Sequence, residues 1–337
     1  MTTPKIGIEA TVLVVGDPAD PQLAALARRA ASPGGTPAGA RLLFGETPAD
    51  FAARGGDTLA RADAVFCWWR GRAALDPILA AAPRVRWIHA SAAGLDHLTS
   101  PALAASGATL TNSRGVYGDA LAEYVIAAML HFAKDLTRLH DAQGRQAWEP
   151  FDGERLAGKV LAIVGYGDIG RAIAARARAF DVEVVALRRH PELSAGDPHV
   201  TRMARDLRDA VAGADYVVLA TPLTADNPRF FGAEALSWLL PRAVLINVGR
   251  GRVVDETALI AALRRGALRG AAIDVFETEP LPPDHPLWSM RQVLVSPHCA
   301  DRVAGWLDRT MDLFLDNLDR FVRGAPLLNV VDARRGY

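Results

Sequence analysis

Lysine is nearly missing from this 337-residue chain: it stands only at Lys5, Lys134 and Lys159, and arginine supplies the rest of the 38 basic side chains. The 38 basic residues are matched by 38 acidic ones, so no excess positive charge exists to draw in a nucleic acid or an anionic membrane. Cysteine is as scarce, with Cys67 and Cys299 alone, which fits a reducing compartment and makes no metal-ligand spacing. No apolar run approaches the ~20 residues that a membrane-spanning helix needs. The start, "MTTPKIGIEATVLVVGDP", lacks the charged lead, apolar centre and small-residue cleavage site of a secretory signal. The expectation is a cytosolic (cytoplasmic) protein that binds neither nucleic acid nor membrane and holds no metal.

What is present is apolar: half of the residues are hydrophobic, enough to bury the cores of two domains at roughly 100–200 residues each. In the first third, "TVLVVG", "AVFCWW", "RWIHAS" and "ATLTN" read as strands with Ala/Leu-rich helices between them, and "ASPGGTPAGA" reads as a surface loop. Near Asn112 the pattern changes, and "GDALAEYVIAAMLHFAKDLTRL" predicts one long helix with Asp119 as a candidate N-cap. A polar connection containing Trp148 runs on to about Arg155. From Lys159 a second series begins, in which "KVLAIVG", "VEVVAL", "DYVVLA", "AVLINVG", "GAAIDVF" and "QVLVSPH" are six strand candidates. Near-continuous apolar strands are expected of a parallel sheet covered on both faces. The tail "AGWLDRTMDLFLDNLDRFVRG" predicts an amphipathic helix packing through Trp306, Met311, Leu313, Phe314, Leu318 and Phe321.

Gly165, Gly167 and Gly170 follow a predicted strand and open a predicted helix, the context in which a Gly-x-Gly-x-x-Gly run binds a dinucleotide. The first glycine permits the tight turn, the second lets backbone approach a pyrophosphate, and the third allows close helix–sheet packing. With Asp168 and Ile169 they bring a helix N-terminus to the phosphates. The next strand ends at Leu187 and is followed by Arg188, Arg189 and His190. An acidic residue there would hold the ribose hydroxyls of NAD, whereas arginine accommodates the 2′-phosphate of NADP. Arg28-Arg29, Arg264-Arg265 and Arg334-Arg335 are pairs too, so the missing acid says as much as the arginines. NADP(H) is expected over NAD(H).

"GYGDIGRAIA", "TPLT", "LINVGRGRVVDETAL", "AAIDVFETEPL" and "LVSPHCA", in that order, resemble the D-2-hydroxyacid dehydrogenase family, more particularly its glyoxylate/hydroxypyruvate reductase-like and short 2-ketoacid reductase members. "SAAGLDHL" and "GVYGDALAEYV" match earlier elements of the same family. The resemblance implies an α/β fold of two doubly wound parallel-sheet domains, a Rossmann cofactor domain inserted into a flavodoxin-like substrate domain. The substrate domain would comprise residues 1–112 plus 301–337, and the NAD(P)-binding domain residues 113–300. That insertion explains a glycine fingerprint halfway along the chain. A homodimer through the cofactor domain is also implied.

The chemistry can be built from the residues as well. Reducing a 2-keto acid calls for a cation on its carboxylate and carbonyl, an acid for the developing alkoxide, and a hydride donor. Arg250 offers a bidentate guanidinium, His298 an imidazole that titrates near neutral pH, and Glu279 a partner for its other ring nitrogen. The resemblance gives the same three residues these roles. It places Asp274 on the nicotinamide carboxamide, and Thr221, Pro222 and Val248 along the cofactor. Plainer roles are open to each: surface charge for Arg250, loop chemistry for Glu279, a satisfied histidine for His298, a strand-end cap for Asp274. Only their joint occurrence in matching motifs favours catalysis.

Substrate contacts are expected from Ala93 and Gly94, in the loop that resembles a carboxylate-binding one, and from Trp69 and Arg70. Trp68 and Trp69 are equally candidates for the core, and Tyr117 is a weaker substrate candidate. Asn227 stands where the family commonly has Thr. Cys299 beside His298 suggests that thiol modification disturbs catalysis. The function expected is NADPH-preferring reduction of small 2-keto acids such as glyoxylate or hydroxypyruvate to D-2-hydroxy acids. The alternative is a cofactor-sensing, corepressor-like binding protein with little turnover; formate dehydrogenase is disfavoured because that branch pairs its histidine with Gln.

Overall fold

The computed structural model describes residues 10–332 apart from 18, 69–71 and 97. In chain order its strands are β1 (Ala10–Val15), β2 (Ala40–Gly45), β3 (Ala64–Cys67), β4 (Trp87–Ala90), β5 (Thr109–Asn112), β6 (Val160–Val164), β7 (Glu183–Leu187), β8 (Arg202–Met203), β9 (Tyr216–Leu219), β10 (Val244–Asn247), β11 (Gly270–Ile273), β12 (Val293–Val295) and β13 (Val330–Val331). They form two sheets in two compact units, Met1–Val116 with Ala304–Tyr337, and Tyr117–Val303.

The sheet of the first unit runs β2-β1-β3-β4-β5-β13. Its first five strands pair in parallel in the flavodoxin-like order, and β13 closes the edge antiparallel to β5. Alternate residues of β1 serve opposite faces: Leu13 and Val15 join one core with Val65 and Ile88, while Val12 and Val14 join another with Phe66 and Trp87. The second core is completed by the tail helix Trp306–Arg323, whose Met311, Phe314, Leu315 and Leu318 are buried in it. The Phe314 ring stacks on Phe66 at 4.2 Å between centroids. Of the expected packing positions, Trp306, Leu313 and Phe321 are only half-buried, Phe321 still packing against this core, and Leu315, which was not among them, is buried in it.

In the second unit the order is β12-β11-β10-β9-β6-β7-β8, all parallel, the doubly wound Rossmann arrangement with its reversal between β6 and β9. All six anticipated strands are present; the two-residue β8 adds a seventh. Strands β9, β10 and β11 are buried at every position, as a sheet covered on both faces requires.

Two expectations fail in the segment after β5. The predicted long helix is two, Gly118–Ala133 and Leu136–Gly144, broken where Asp135 enters the left-handed region at φ 46°. Asp135 then caps the second helix by accepting the Arg138 N–H at 3.3 Å, and carbonyls at the end of the first are taken by outside donors: Glu154 N–H on Ala133 at 2.8 Å and Arg269 Nη2 on Phe132 at 2.5 Å. Asp119 is not the N-cap. Tyr117 holds that position, and Asp119 instead pairs with Arg176 at 2.8 Å. No helix among the described residues is long and apolar enough to cross a membrane.

Candidate active site

The glycine run turns the chain from β6 into the helix Asp168–Arg178. Gly165 has φ 100°, and a Cβ there would lie 2.7 Å from the Ala220 carbonyl carbon, so only glycine fits. Its N–H and that of Tyr166 both reach the Leu187 carbonyl, at 3.0 and 3.1 Å, which fixes the turn beside the end of β7. Gly167 faces open space, with nothing within 4 Å of where a Cβ would stand, whereas one on Gly170 would sit 2.7 Å from the Gly165 carbonyl oxygen. The helix's first i→i−4 bond joins Arg171 N–H to the Gly167 carbonyl at 3.0 Å, leaving the N–H groups of Asp168, Ile169 and Gly170 ahead of the ladder. An open, backbone-lined cradle at a helix N-terminus fits a dinucleotide pyrophosphate.

Beyond β7, half-buried Arg188 donates from Nη1 to the Ser194 hydroxyl at 2.6 Å, and Arg189 is exposed. The following loop is tied back to the glycine-turn helix by Arg171 and Asp197, 2.7 Å apart. On the other side of the reversal, Val248 is buried and donates its N–H to the Leu219 carbonyl at 3.1 Å. Asn227 organises the Thr221–Pro222 loop, accepting from Thr224 N–H at 2.7 Å and donating to the Pro222 carbonyl at 2.8 Å.

Arg250, Glu279 and His298 follow β10, β11 and β12, at the carboxyl ends of three neighbouring parallel strands, where open α/β sheets place their chemistry. His298 Nδ1 lies 2.7 Å from Glu279 Oε2, and Glu279 Oε1 accepts the Phe276 N–H at 2.9 Å, so both carboxylate oxygens are held. With Nδ1 engaged, Nε2 is the nitrogen left to hand over a proton. The hydrogen bond to Glu279 raises the His298 pKa above its ordinary value; burial and Arg250 oppose this, while the charges of Glu279 and Asp274 assist it. Burial pushes Glu279 up, but the His298 hydrogen bond, the Phe276 N–H and the charges of His298 and Arg250 outweigh it and leave the carboxyl below its usual range.

Half-buried Arg250 is braced from below: its carbonyl accepts from Asn247 Nδ2 at 3.0 Å and its Nη1 donates to the Gly249 carbonyl at 2.8 Å. Sequence reasoning overlooked Gly251, whose backbone lies so close on that of Phe276 that no Cβ fits. That contact brings the loops bearing Arg250 and Glu279 together, and the second glycine of "GRG" was its available signal. Asp274, 2% exposed, accepts three donors at Oδ1 from the His298 loop, so its visible work is the strand-end capping that was the plainer of its two readings.

A family model described as "D-isomer specific 2-hydroxyacid dehydrogenase, NAD binding domain" matches residues 126–300. A glyoxylate reductase from Thermofilum pendens is 33% identical over 73% of this chain and 75% of its own length. This chain belongs to the D-isomer specific 2-hydroxyacid dehydrogenase family. Among solved structures, a D-isomer specific 2-hydroxyacid dehydrogenase from Xanthobacter autotrophicus Py2, in complex with NADPH and MES, is 28% identical with a TM-score of 0.79, covering 98% of this chain and 100% of that one. An NADPH-dependent glyoxylate/hydroxypyruvate reductase from Sinorhizobium meliloti, in complex with NADP and malonate, is 27% identical with a TM-score of 0.76, covering 97% and 98%.

In the first unit, the Ala93 carbonyl accepts from Asn112 Nδ2 at 2.6 Å and the Ala92 carbonyl from Ser113 N–H at 3.1 Å, which fixes the loop carrying Gly94. Trp69 and Arg70 lie outside the described residues. Trp68 is a core residue, fully buried with its indole N–H on Asp20 at 3.2 Å. Tyr117 is buried at the start of the second unit. Burial, with Asp274 and Asp301, pushes the Cys299 thiol up despite Arg302, which lowers its thiolate fraction and speaks against a reactive cysteine. Among the described residues no group of three or more His, Cys, Asp and Glu could hold a metal.

Proposed function

We propose that this dehydrogenase is an NADPH-preferring reductase of small 2-keto acids, glyoxylate and hydroxypyruvate foremost, giving D-2-hydroxy acids. The observation that carries the reading is the 2.7 Å contact between His298 and Glu279 beside Arg250. In this reading Arg250 binds the substrate carboxylate and carbonyl through its guanidinium fork. Protonated His298 gives its Nε2 proton to the developing alkoxide, and Glu279 fixes the tautomer and keeps the imidazolium charged. Bound NADPH supplies the hydride. Gly165, Gly167, Asp168, Ile169 and Gly170 would hold its pyrophosphate, Thr221, Pro222 and Val248 would lie along it, and Arg188 with Arg189 would take the 2′-phosphate. Ala93, Gly94, Trp69 and Arg70 rest on the family resemblance as substrate contacts. So does the assignment of Tyr117–Val303 as the cofactor domain and of the rest as the substrate domain.

NADPH over NADH is supported by the strand end after Leu187, which offers two arginines and no carboxylate. The test is initial-rate oxidation of both cofactors across glyoxylate, hydroxypyruvate, pyruvate and phenylpyruvate. The Arg188→Ala, Arg189→Ala double variant should lose about 10- to 100-fold in kcat/KM for NADPH and little for NADH, the effect of deleting charge-assisted hydrogen bonds. His298→Ala should lose about 10²- to 10⁴-fold with either cofactor. Tight cofactor binding with no keto acid turned over would instead make the protein a cofactor sensor. A homodimer through the second unit belongs to the same reading, supported by Trp148, which stands 96% exposed there. Sedimentation should give a dimer for the native chain and a monomer for Trp148→Arg.

A further inference from the structure

The loop that carries His298 is held by a relay starting on a distant helix. Asp274 Oδ1 accepts Ser296 Oγ at 2.6 Å, Cys299 N–H at 3.0 Å and Ala300 N–H at 3.1 Å, and the Asp274 carbonyl accepts the His298 N–H at 2.9 Å. The Ser296 oxygen also lies 2.8 Å from the Tyr124 hydroxyl, on the helix Gly118–Ala133. Serine has one proton and a carboxylate only accepts, so that proton goes to Asp274 and Tyr124 is the donor to Ser296. Burial, with the charges of Asp274 and Cys299, outweighs the lowering effect of the Ser296 hydrogen bond and pushes Tyr124 up to about 12, so it keeps its proton. The bonds therefore run one way, from Tyr124 to Ser296 to Asp274. At the far end His298 stands at φ 49°, a left-handed conformation that a histidine keeps only where its surroundings hold it.

We propose that Tyr124 and Ser296 are positioning residues for the proton donor: with Asp274 they fix the Ser296–Ala300 loop so that His298 meets Glu279 through Nδ1 and presents Nε2. This rests on the reading of His298 as the acid. Tyr124 and Ser296 stand 172 positions apart in the chain.

The test uses the full chain with Tyr124→Phe, Ser296→Ala and Ser296→Thr. Two readouts are taken: kcat and KM for the keto acid, and the titration of the His298 ring protons by NMR, assigned with His298→Asn. Among the described residues, the charged groups facing His298 are Glu279, Arg250, Asp274 and Asp301. All four are retained in these variants, so a moved titration reports geometry. Tyr124→Phe and Ser296→Ala should each lower kcat about tenfold with KM within about twofold. The His298 titration should move to lower pH as the Glu279 contact loosens, and Ser296→Thr, which keeps the hydroxyl, should restore both. Native kcat and native titration in Tyr124→Phe and Ser296→Ala overturn the proposal, even if thermal stability drops. Should Ser296→Ala fail to fold, Tyr124→Phe decides alone, since it removes one oxygen and no volume. If the native chain reduces no keto acid, the proposed function fails, while the NMR arm still decides whether the relay orients His298.

Discussion

Glu279 divides its two oxygens between the backbone and the acid: Oε1 takes the Phe276 N–H and Oε2 takes His298 Nδ1. A glutamine has a single accepting oxygen: with the Phe276 N–H on that oxygen, its amide NH2 faces His298 Nδ1, which must then accept, so Glu279→Gln removes the charge and favours the neutral ring. His298 is raised above its ordinary 6.5, so its protonated form persists to higher pH than free imidazole, and reduction should decline as pH rises through that raised value. In Glu279→Gln the basic limb of kcat/KM should move to lower pH, each unit of lost pKa costing roughly tenfold in protonated fraction above it. An unmoved limb in a steady-state pH profile would mean that Glu279 orients the ring without tuning it. The pair's own stabilisation has two edges. It is lost upward as pH passes the raised His298 value, and lost downward as pH passes the lowered Glu279 value, so it exists only between them. At this scale the sequence pointed to Arg250, Glu279 and His298 only jointly, through the motifs that carry them, since each residue type alone has a plainer role. It did not point to Tyr124 and Ser296, since a tyrosine in an apolar helix and a serine before a proline have ordinary roles until the fold brings them together.

The tail helix Trp306–Arg323 shows what an element contributes once it is packed. Phe314 is fully buried between Phe66 and Trp87, with ring centroids at 4.2 and 5.8 Å. Phe314→Ala should cost ~3–5 kcal/mol, the price of removed contacts plus a cavity, read as a shift in the urea midpoint followed by tryptophan fluorescence. A loss under ~1 kcal/mol would show that the helix is not integral to this core. The helix was readable because its apolar residues recur with helical period, and the second unit's strands because they are unbroken apolar runs. Strand β2 was not read as one: "ARLLFG" buries only part of its length and follows a Gly/Pro-rich loop. The break at Asp135 was hidden for a different reason. "AKDL" contains neither proline nor glycine, and the helix ends there because Glu154 and Arg269, remote in sequence, take its terminal carbonyls.

For the whole molecule, balanced charge makes acid sensitivity depend on particular buried groups more than on net repulsion near neutrality. His89 is such a group in the first unit. It is fully buried beside Phe66, Trp87 and Phe314, with Nδ1 2.7 Å from the Thr111 hydroxyl, and burial pushes its pKa down to about 3. The unfolded chain binds a proton at this histidine near 6.5 while the folded chain refuses it, so stability is full above that pH and falls as pH drops toward the folded value. The slope from this one group approaches roughly 1.4 kcal/mol per pH unit well below 6.5. Urea midpoints measured from pH 7 to 4 should fall steeply for the native chain and more gently for His89→Gln, which starts less stable but has no proton to exclude. Parallel slopes for the two would mean that the buried imidazole opens to solvent and is charged before the fold is lost, and that acid unfolding begins at carboxylate pairs instead.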